Sequence, residues 1–543
     1  DELLLADTSG VLVDVVAYGD SDYSGTGWEG KPVAKPPKAH EIRRMTKDAA
    51  DTNTSSDWLI VPPGRSAFSQ IATKALVEPF LAPEDARSRL IREFEYSSRS
   101  ICAAVYELND PNVVSALVSA AKRGVNVRVL LEGQPVGGIS ENGRQAASEL
   151  DVAGVEVSFL KSRDGYKRYD YLHCKYAVID GRRSIVMSEN WVTNGIDRNR
   201  GWGVVVESRE LASYMARMFW HDCDNRSLDV CPIENVIGER DYEGGLVELG
   251  PTVSDIGNLK RFEASVGPLV SPDFSLERLS NLIDSAKSQI LVEQFYCAPS
   301  WLGSDGLVSG LFSAASKGVT VRILLDSSWF NSGETRNNSK VVEYLNQRAS
   351  DMGVDLEARL VSKYHPFEMI HNKGVVIDDV SIVSSMNWVD ASFKENREIG
   401  IEIRSEEVSS YFSDAFWEDW KTDPYPPIVN LSFKTLTVHE GTPVWLDASK
   451  STDNAGISRI LWDEGADGSV EWDGPRHLVK LGCGNHVIAV AVIDVFNNSA
   501  FSVVEIRVLP VEDPGSADVL LLLPFVGTAG FLIWRILKKI KTG

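Results

Sequence analysis

The sequence predicts an α/β fold built as a duplication, flanked by two small all-β segments and followed by one apolar span. Three observations predict it. First, an amphipathic helix, a glycine stop and an apolar strand occur twice, as SALVSAAKRGVNVRVLLEG ending at Gly133 and SGLFSAASKGVTVRILLD ending at Asp326. Second, later blocks repeat in the same order: YLHCKYAVIDGRRSIVMSENW with MIHNKGVVIDDVSIVSSMNW, NRGWGVVVES with NREIGIEIRS, and MFWHDC with AFWEDW. Third, both flanks alternate short apolar runs with Gly, Asp and Asn turns, the pattern of half-buried strands.

In chain order, residues 1–57 (LLLADTSGVLVDVVAYGD, then GTGWEG) read as a few strands with tight turns, and 58–69 as a linker. The copies occupy 70–224 and 263–423, joined by 225–262. Helix–strand alternation implies a largely buried sheet in each copy, with the two packed side by side about a pseudo-two-fold axis. Residues 426–510 are again β-rich. From Val519 the chain runs VLLLLPFVGTAGFLIW, and the stretch 518–537 is long enough to cross a bilayer if Arg535 snorkels. Acidic Glu512, Asp513 and Asp518 precede it, and a basic tail, 538–543, follows with Lys538, Lys539 and Lys541. The positive-inside rule then places the tail in the cytoplasm and the rest of the chain outside. The chain starts at Asp1 with no Met and no signal-peptide pattern, so a removed leader or a fragment is expected.

Composition bounds the rest. A length of 543 residues suits three or four domains, and 43% hydrophobic content supplies several cores. A net charge of −22 argues against tracking long polyanions by general attraction, although a local basic groove is compatible with it. Cys223 and Cys231 are close enough in sequence for either a disulfide or two loop thiols, while Cys102, Cys174, Cys297 and Cys483 read as core residues. No CxxC pair or Cys/His cluster points to zinc.

The repeated blocks share HxKxxxxD followed by SxN: His173, Lys175, Asp180, Ser188 and Asn190, then His371, Lys373, Asp378, Ser385 and Asn387. Residues i and i+2 of a strand project to one face. Each copy therefore offers an imidazole, an ammonium, a hydroxyl and an amide together, and two facing copies suit a phosphodiester. The lysines neutralise non-bridging oxygens, and the Asn and Ser side chains donate to them. One histidine attacks phosphorus and the other protonates the leaving oxygen. Asp180 and Asp378 complete the motif, but their odd spacing from the histidines suggests scaffold rather than substrate contact.

The duplicated motif resembles the phospholipase D superfamily over roughly 350 residues, counted between the two copies. The resemblance implies a mixed-sheet sandwich in each half, one site between the halves, and a phosphohistidine intermediate without metal or other cofactor. It implies His173 as nucleophile and His371 as acid/base. Lys175, Lys373, Asn190 and Asn387 then bind phosphate, helped by Ser188 and Ser385, and a monomer suffices. The family often has a carboxylate after SxN that orients a histidine. Glu398 matches it in the second copy, but the first has Gly201. Either Asp197 or another carboxylate substitutes, or His173 is less firmly held.

The flanks carry resemblances too. ELLLADTSGVLVDVVAYGD with Gly27–Trp28 is similar to the closing half of a lamin-tail domain, without its opening strands. HEGTPVWLDASKSTDNAG with WDEGADG is similar to PKD-type Ig-like domains, which imply a spacer or adhesion module. The superfamily includes phospholipases, phosphatidyl transferases and nucleases. A membrane span favours a phospholipid substrate, while a lamin-tail module favours a nucleic acid. Tyr171, Trp191, Trp388 and Tyr364 could line a lipid pocket, stack bases or simply pack. An adhesion protein with an inactive core is the reading from another class.

Overall fold

The computed structural model describes residues 1–511 except 38–39, 45–50, 62–63, 65, 67, 238–259, 303–305, 329–330, 332–336 and 424. The expected span at 518–537 and its basic tail lie outside the described residues. Among the described residues, no helix is long and apolar enough to cross a membrane. The chain divides into two units, Asp1–Val361 with Pro366–Trp420, and Ser362–His365 with Lys421–Gly543.

In the first unit the helix–glycine–strand pattern forms as read. Asp110 caps helix Pro111–Lys122 by accepting from the backbone N–H groups of Asn112 and Val113, and proline opens the first turn. Gly124 (φ +89°) and Gly318 (φ +90°) then turn the chain into strands Asn126–Glu132 and Thr320–Leu325. In each copy three strands pair in parallel through helical crossovers, as Ser100–Val105, Asn126–Glu132 and Glu156–Leu160 do in the first. The motif strands Lys175–Ile179 and Lys373–Ile377 join them antiparallel.

The sheet is where expectation and structure differ. A single sheet runs through both copies instead of one sheet in each. Strand Thr73–Ala82 of the first copy pairs antiparallel with Phe262–Ser271 of the second, from Phe262 opposite Val77 to Val266 opposite Thr73. Each is the edge strand of its own repeat, so pairing them removes two exposed edges.

Three apolar cores follow. Each repeat buries its own, around Leu117, Leu150 and Trp191 in the first and Leu311, Ile323 and Trp388 in the second. A third core is shared and takes side chains from both, including Met215, Phe219, Phe412 and Phe416. There Trp202 stacks on Phe412 with ring centroids 4.5 Å apart.

Two crossed ion pairs tie the copies together beneath the shared core. Arg200 Nε lies 2.7 Å from Asp419 Oδ2, and Arg397 Nη2 donates to Asp222 Oδ1 at 2.7 Å. These are the Arg of NR and the Asp of the FWxD block in each repeat, exchanged between repeats. Arg397 also donates to Asp273 Oδ2 at 3.0 Å and is fully buried. Burial opposes ionisation of Asp222, yet the Arg397 guanidinium and His221 hold its carboxyl well below the usual range. Removing one partner of such a pair leaves an uncompensated buried charge. Arg397→Met is therefore expected to cost about 3–5 kcal/mol, measured as a lower denaturant midpoint. A loss below 1 kcal/mol would mean the network is not holding the repeats.

At the N-terminus, strands Glu2–Ala6 and Leu12–Ala17 form a hairpin over a small core of Val15, Val16, Ala17, Trp28 and Val33. The second unit is all β. Its main sheet orders Thr435–His439, Ser499–Leu509, Gly484–Asp494, Ile457–Glu464 and Trp472–Asp473, and a two-stranded sheet pairs Val444–Asp447 with Arg476–Val479. Trp462, Ile488, Val490 and Ile506 are its buried centre. All six cysteines are free thiols. Cys483, expected in a core, is exposed, because it sits between Gly482 and Gly484 at the turn into a strand and not on a sheet face.

Candidate active site

The two HxK segments approach the same region because each pairs with the other repeat. His173 N donates to Arg397 O at 2.9 Å, and His371 N donates to Arg200 O at 2.9 Å. Met369 and Ile370 lie opposite Asn199 and Arg200 in a short parallel ladder. Each histidine thus stands where the other repeat's NR segment begins its strand.

That crossing decides which carboxylate meets which ring. His173 Nδ1 lies 2.8 Å from Glu398 Oε2, a hydrogen bond between repeats. With Nδ1–H donating to the carboxylate, Nε2 carries the lone pair. His371 Nδ1 lies 3.2 Å from Glu189 Oε2, close but without hydrogen-bond alignment. Both carboxylates are fully buried, while each imidazole keeps 14% of its side chain exposed. Each carboxylate is braced by the Asn of its own NR segment: Asn396 Nδ2 donates to Glu398 Oε1 at 3.0 Å, and Asn199 Nδ2 to Glu189 Oε2 at 3.2 Å.

Two expectations are corrected here. The missing acid at Gly201 does not loosen His173, since its partner comes from the second copy. Asp197 is no substitute, because it pairs with Arg87 instead, Arg87 Nη2 donating to Asp197 Oδ2 at 2.6 Å. Glu189, the middle residue of SEN, fills the role toward His371. Gly201 makes the room: a Cβ there would stand 2.4 Å from Glu189 Oε1 and 2.6 Å from Ser188 Oγ. The second copy has the reverse pair, Met386 and Glu398, at the matching positions. The sequence signal was present as a carboxylate inside one SxN and a glycine at the matching downstream position.

The lysines are enclosed beside the rings. Lys175 Nζ donates to His173 O at 2.7 Å and lies 5.2 Å from the Tyr106 ring centroid. Lys373 Nζ donates to His371 O and lies 5.1 Å from the Phe295 centroid. Both are fully buried. Tyr106 and Phe295 also meet the imidazoles edge-on, at 5.0 Å from His173 and 4.8 Å from His371. These two aromatic residues carry no signal in the sequence because they follow directly on strands Ser100–Val105 and Gln289–Gln294, far along the chain from the motif. Of those singled out there, Trp191 and Trp388 are buried in the separate repeat cores, and Tyr364 packs on Phe496 in the β unit. Tyr171 packs edge-on against Tyr106, with centroids 6.1 Å apart.

Burial sets the electrostatics. It is the largest influence on His173 and pushes it down to about 4; Glu398 opposes, and the charges of Lys175 and Lys373 add to the fall. His371 is lowered by burial and Lys373, against Glu189. Burial also pulls Lys175 down to about 8 and Lys373 well below its ordinary value. Burial thus holds both imidazoles toward neutrality and disfavours the charge on both lysines, so an entering anion is stabilised by, and itself stabilises, the protonated amines.

The remaining motif residues divide. Asn190 Nδ2 donates to Glu107 Oε2 at 3.1 Å, leaving Asn190 Oδ1 unpartnered, and Asn387 Oδ1 is likewise without a donor. Ser188 and Ser385 do not offer free hydroxyls. Ser188 Oγ accepts from Trp202 N at 3.1 Å and donates to Glu189 Oε1 at 3.4 Å, and Ser385 Oγ accepts from Ile399 N at 3.1 Å and donates to Ile399 O at 3.2 Å. Asp180 and Asp378 lie at the far ends of their strands, with φ of +54° and +51°. Asp180 accepts from the backbone of Ser98, Arg99 and Ser100, and Asp378 from Lys287, Ser288 and Gln289. As members of the motif Asp180 and Asp378 are candidates for the catalytic set, but each instead ties the turn after its strand to the backbone leading into a neighbouring strand, the scaffold role that their odd spacing suggests.

The chain is similar to several known proteins. The family described as "Cardiolipin synthase, PLD-like domain" matches residues 90–223 and 279–420. Mitochondrial cardiolipin hydrolase of Xenopus tropicalis is 28% identical over 174 residues, covering 29% of this chain and 76% of that protein. Phospholipase D of Rickettsia prowazekii (strain Madrid E) is 27% identical over 157 residues, covering 28% and 70%. Among solved structures, phosphatidylserine synthase of Haemophilus influenzae Rd KW20 overlays with a TM-score of 0.45 at 14% identity, covering 63% of this chain and 86% of that one.

Proposed function

Because the chain belongs to the phospholipase D superfamily, with two PLD-like domains and the phosphodiesterase chemistry of that family, we propose that it cleaves or transfers phosphatidyl groups through a phosphohistidine intermediate. The observation that carries this reading is the crossed pair of imidazole–carboxylate contacts, each with a buried lysine beside it. In the proposed reaction His173 Nε2 attacks phosphorus while Glu398 holds Nδ1–H. The phosphorus–oxygen bond to the leaving group breaks, and that oxygen takes a proton from His371. Lys175 and Lys373 balance the charge gathering on the non-bridging oxygens, with Asn190 and Asn387 beside them. His371, now neutral, removes a proton from water or an alcohol, which attacks phosphorus and breaks the phosphorus–nitrogen bond.

A phospholipid substrate is supported by the relatives named as cardiolipin hydrolase and phospholipase D, and by the apolar stretch at 518–537, which would hold the chain at a bilayer with the catalytic unit outside the cell. The test offers the whole chain mixed phospholipid vesicles and single-stranded DNA together. Headgroup release, lost in both His173→Ala and His371→Ala, is expected. DNA cleavage lost in both variants would move the substrate to nucleic acid, and activity on neither would leave a binding protein with an inactive core.

The pH dependence follows from the buried histidines. Attack needs His173 neutral, which holds above about 4. Protonation of the leaving group needs His371 charged, and its value lies below the ordinary 6.5. A bell-shaped kcat/KM with its maximum below pH 6.5 is expected. Bound phosphodiester anion favours the imidazolium, so the alkaline limb of kcat should lie at higher pH than that of kcat/KM. A maximum above pH 7 in kcat/KM would contradict the assignment of His371 as acid.

A further inference from the structure

The β unit gathers three carboxylates in one place, two of them buried and the third half-buried. Asp423 precedes the first strand, Asp453 lies in the loop after Val444–Asp447, and Asp494 ends strand Gly484–Asp494. One carboxylate oxygen from each lies within 4.8 Å of the others. Asp423 is 4% exposed and Asp494 fully buried. No lysine, arginine or histidine pairs with any of them among the described residues.

What sets this apart from a surface acidic patch is how the oxygens are used. Asp423 Oδ1 accepts from Tyr425 N and Asn454 Nδ2, both at 3.0 Å. Asp453 Oδ1 accepts from the N–H groups of Ala455 and Gly456, both at 2.8 Å. In each residue the second oxygen, Oδ2, is buried with no donor at all. Asp494 is anchored by Phe496 N at 2.7 Å and Asn498 N at 2.8 Å. Backbone and asparagine donors, including Asn498 Nδ2 to Asp494 Oδ2 at 2.8 Å, thus fix the three carboxylates and leave Oδ2 of Asp423 and of Asp453 buried without a donor. A buried anionic oxygen without a donor is costly, and three mutually repelling carboxylates more so. A cation among them would offset both costs.

We propose that Asp423, Asp453 and Asp494 form a calcium site in this unit. The donors are all oxygens, the hard set that Ca²⁺ prefers and that zinc and copper do not select. With metal–oxygen bonds of about 2.3–2.6 Å, oxygens on opposite sides of Ca²⁺ stand about 5 Å apart, so three oxygens within 4.8 Å of one another can share one ion. The ion would pin the lead-in at Asp423 to the loop at Asp453 and the strand end at Asp494. This site is independent of the phosphodiesterase reading, since none of its residues belongs to the catalytic unit.

The test uses the whole chain, stripped with EGTA and titrated with CaCl2 to about 10 mM, above the range in which weak extracellular sites saturate. A saturable calorimetric signal of one ion per chain is expected, with a rise of several degrees in one melting transition. Absence of both would overturn the site, as would an equal response to MgCl2. Asp453→Asn keeps an acceptor for Ala455 and Gly456 but removes one negative charge. In EGTA it should melt no lower than the stripped wild type, because repulsion is relieved, and it should lose the calcium response. A lower melting point in EGTA, or a full calcium response in this variant, would each overturn the proposal.

Discussion

His173→Ala is expected to release no leaving group from any phosphodiester, and His371→Ala to release one equivalent from an ester of p-nitrophenol and then stall. The difference follows from the roles argued above. His173 supplies the attacking nitrogen, so without it the first bond cannot form, and a loss of about 10⁴-fold or more is expected for every substrate. His371 supplies a proton to the leaving oxygen. p-Nitrophenolate leaves without that proton, so the first half of the reaction survives. The second half does not, because His371 must then accept a proton from water. His371→Ala should therefore accumulate an acid-labile phosphoryl ester on His173, the second ester group still attached, detectable by mass after rapid quenching. With a natural alkyl leaving group both halves need His371, and no burst should appear. A burst from His173→Ala, with none from His371→Ala, would exchange the two roles.

The second large effect concerns the carboxylates. Glu398→Gln should lower turnover by between about 10² and about 10⁴, because an amide does not impose the tautomer that exposes the Nε2 lone pair. Its effect on pH has a definite sign. Glu398 raises the His173 value, against burial and the lysines. Removing its charge lets His173 fall further, so the acid limb of kcat/KM should move to lower pH while the alkaline limb stays. A variant that merely disturbed packing would not shift one limb alone. Glu189→Gln should cost less, since Glu189 reaches His371 without hydrogen-bond alignment. The exchange Glu189→Met with Gly201→Glu copies the second repeat into the first. It should regain part of what Glu189→Met loses, because the space closed to a side chain at Gly201 is the space Glu189 now fills. No regain would mean that the two positions are not equivalent supports for His371.

Much of this protein follows from local pattern. The duplication, the helix–glycine–strand units and the two HxK segments are visible because periodicity and spacing are properties of the chain itself. Strand parity even separated Asp180 and Asp378 from the histidines, and the structure has them closing turns at the far strand ends. What parity could not reveal is partnership across the duplication. Glu398 serves His173 and Glu189 serves His371 because each HxK segment pairs with the opposite repeat. The same crossing joins Arg200 to Asp419 and Arg397 to Asp222. Ser188 and Ser385 read as phosphate donors by residue type, but adjacent strands occupy their hydroxyls. Asp423, Asp453 and Asp494 carry no shared motif, and only the β fold brings their oxygens together. The sequence by itself determined which chemical groups are present, how often, and in what local geometry. Tertiary structure decided which of them touch, because contacts between residues hundreds of positions apart depend on sheet register and edge pairing, and no local period records those.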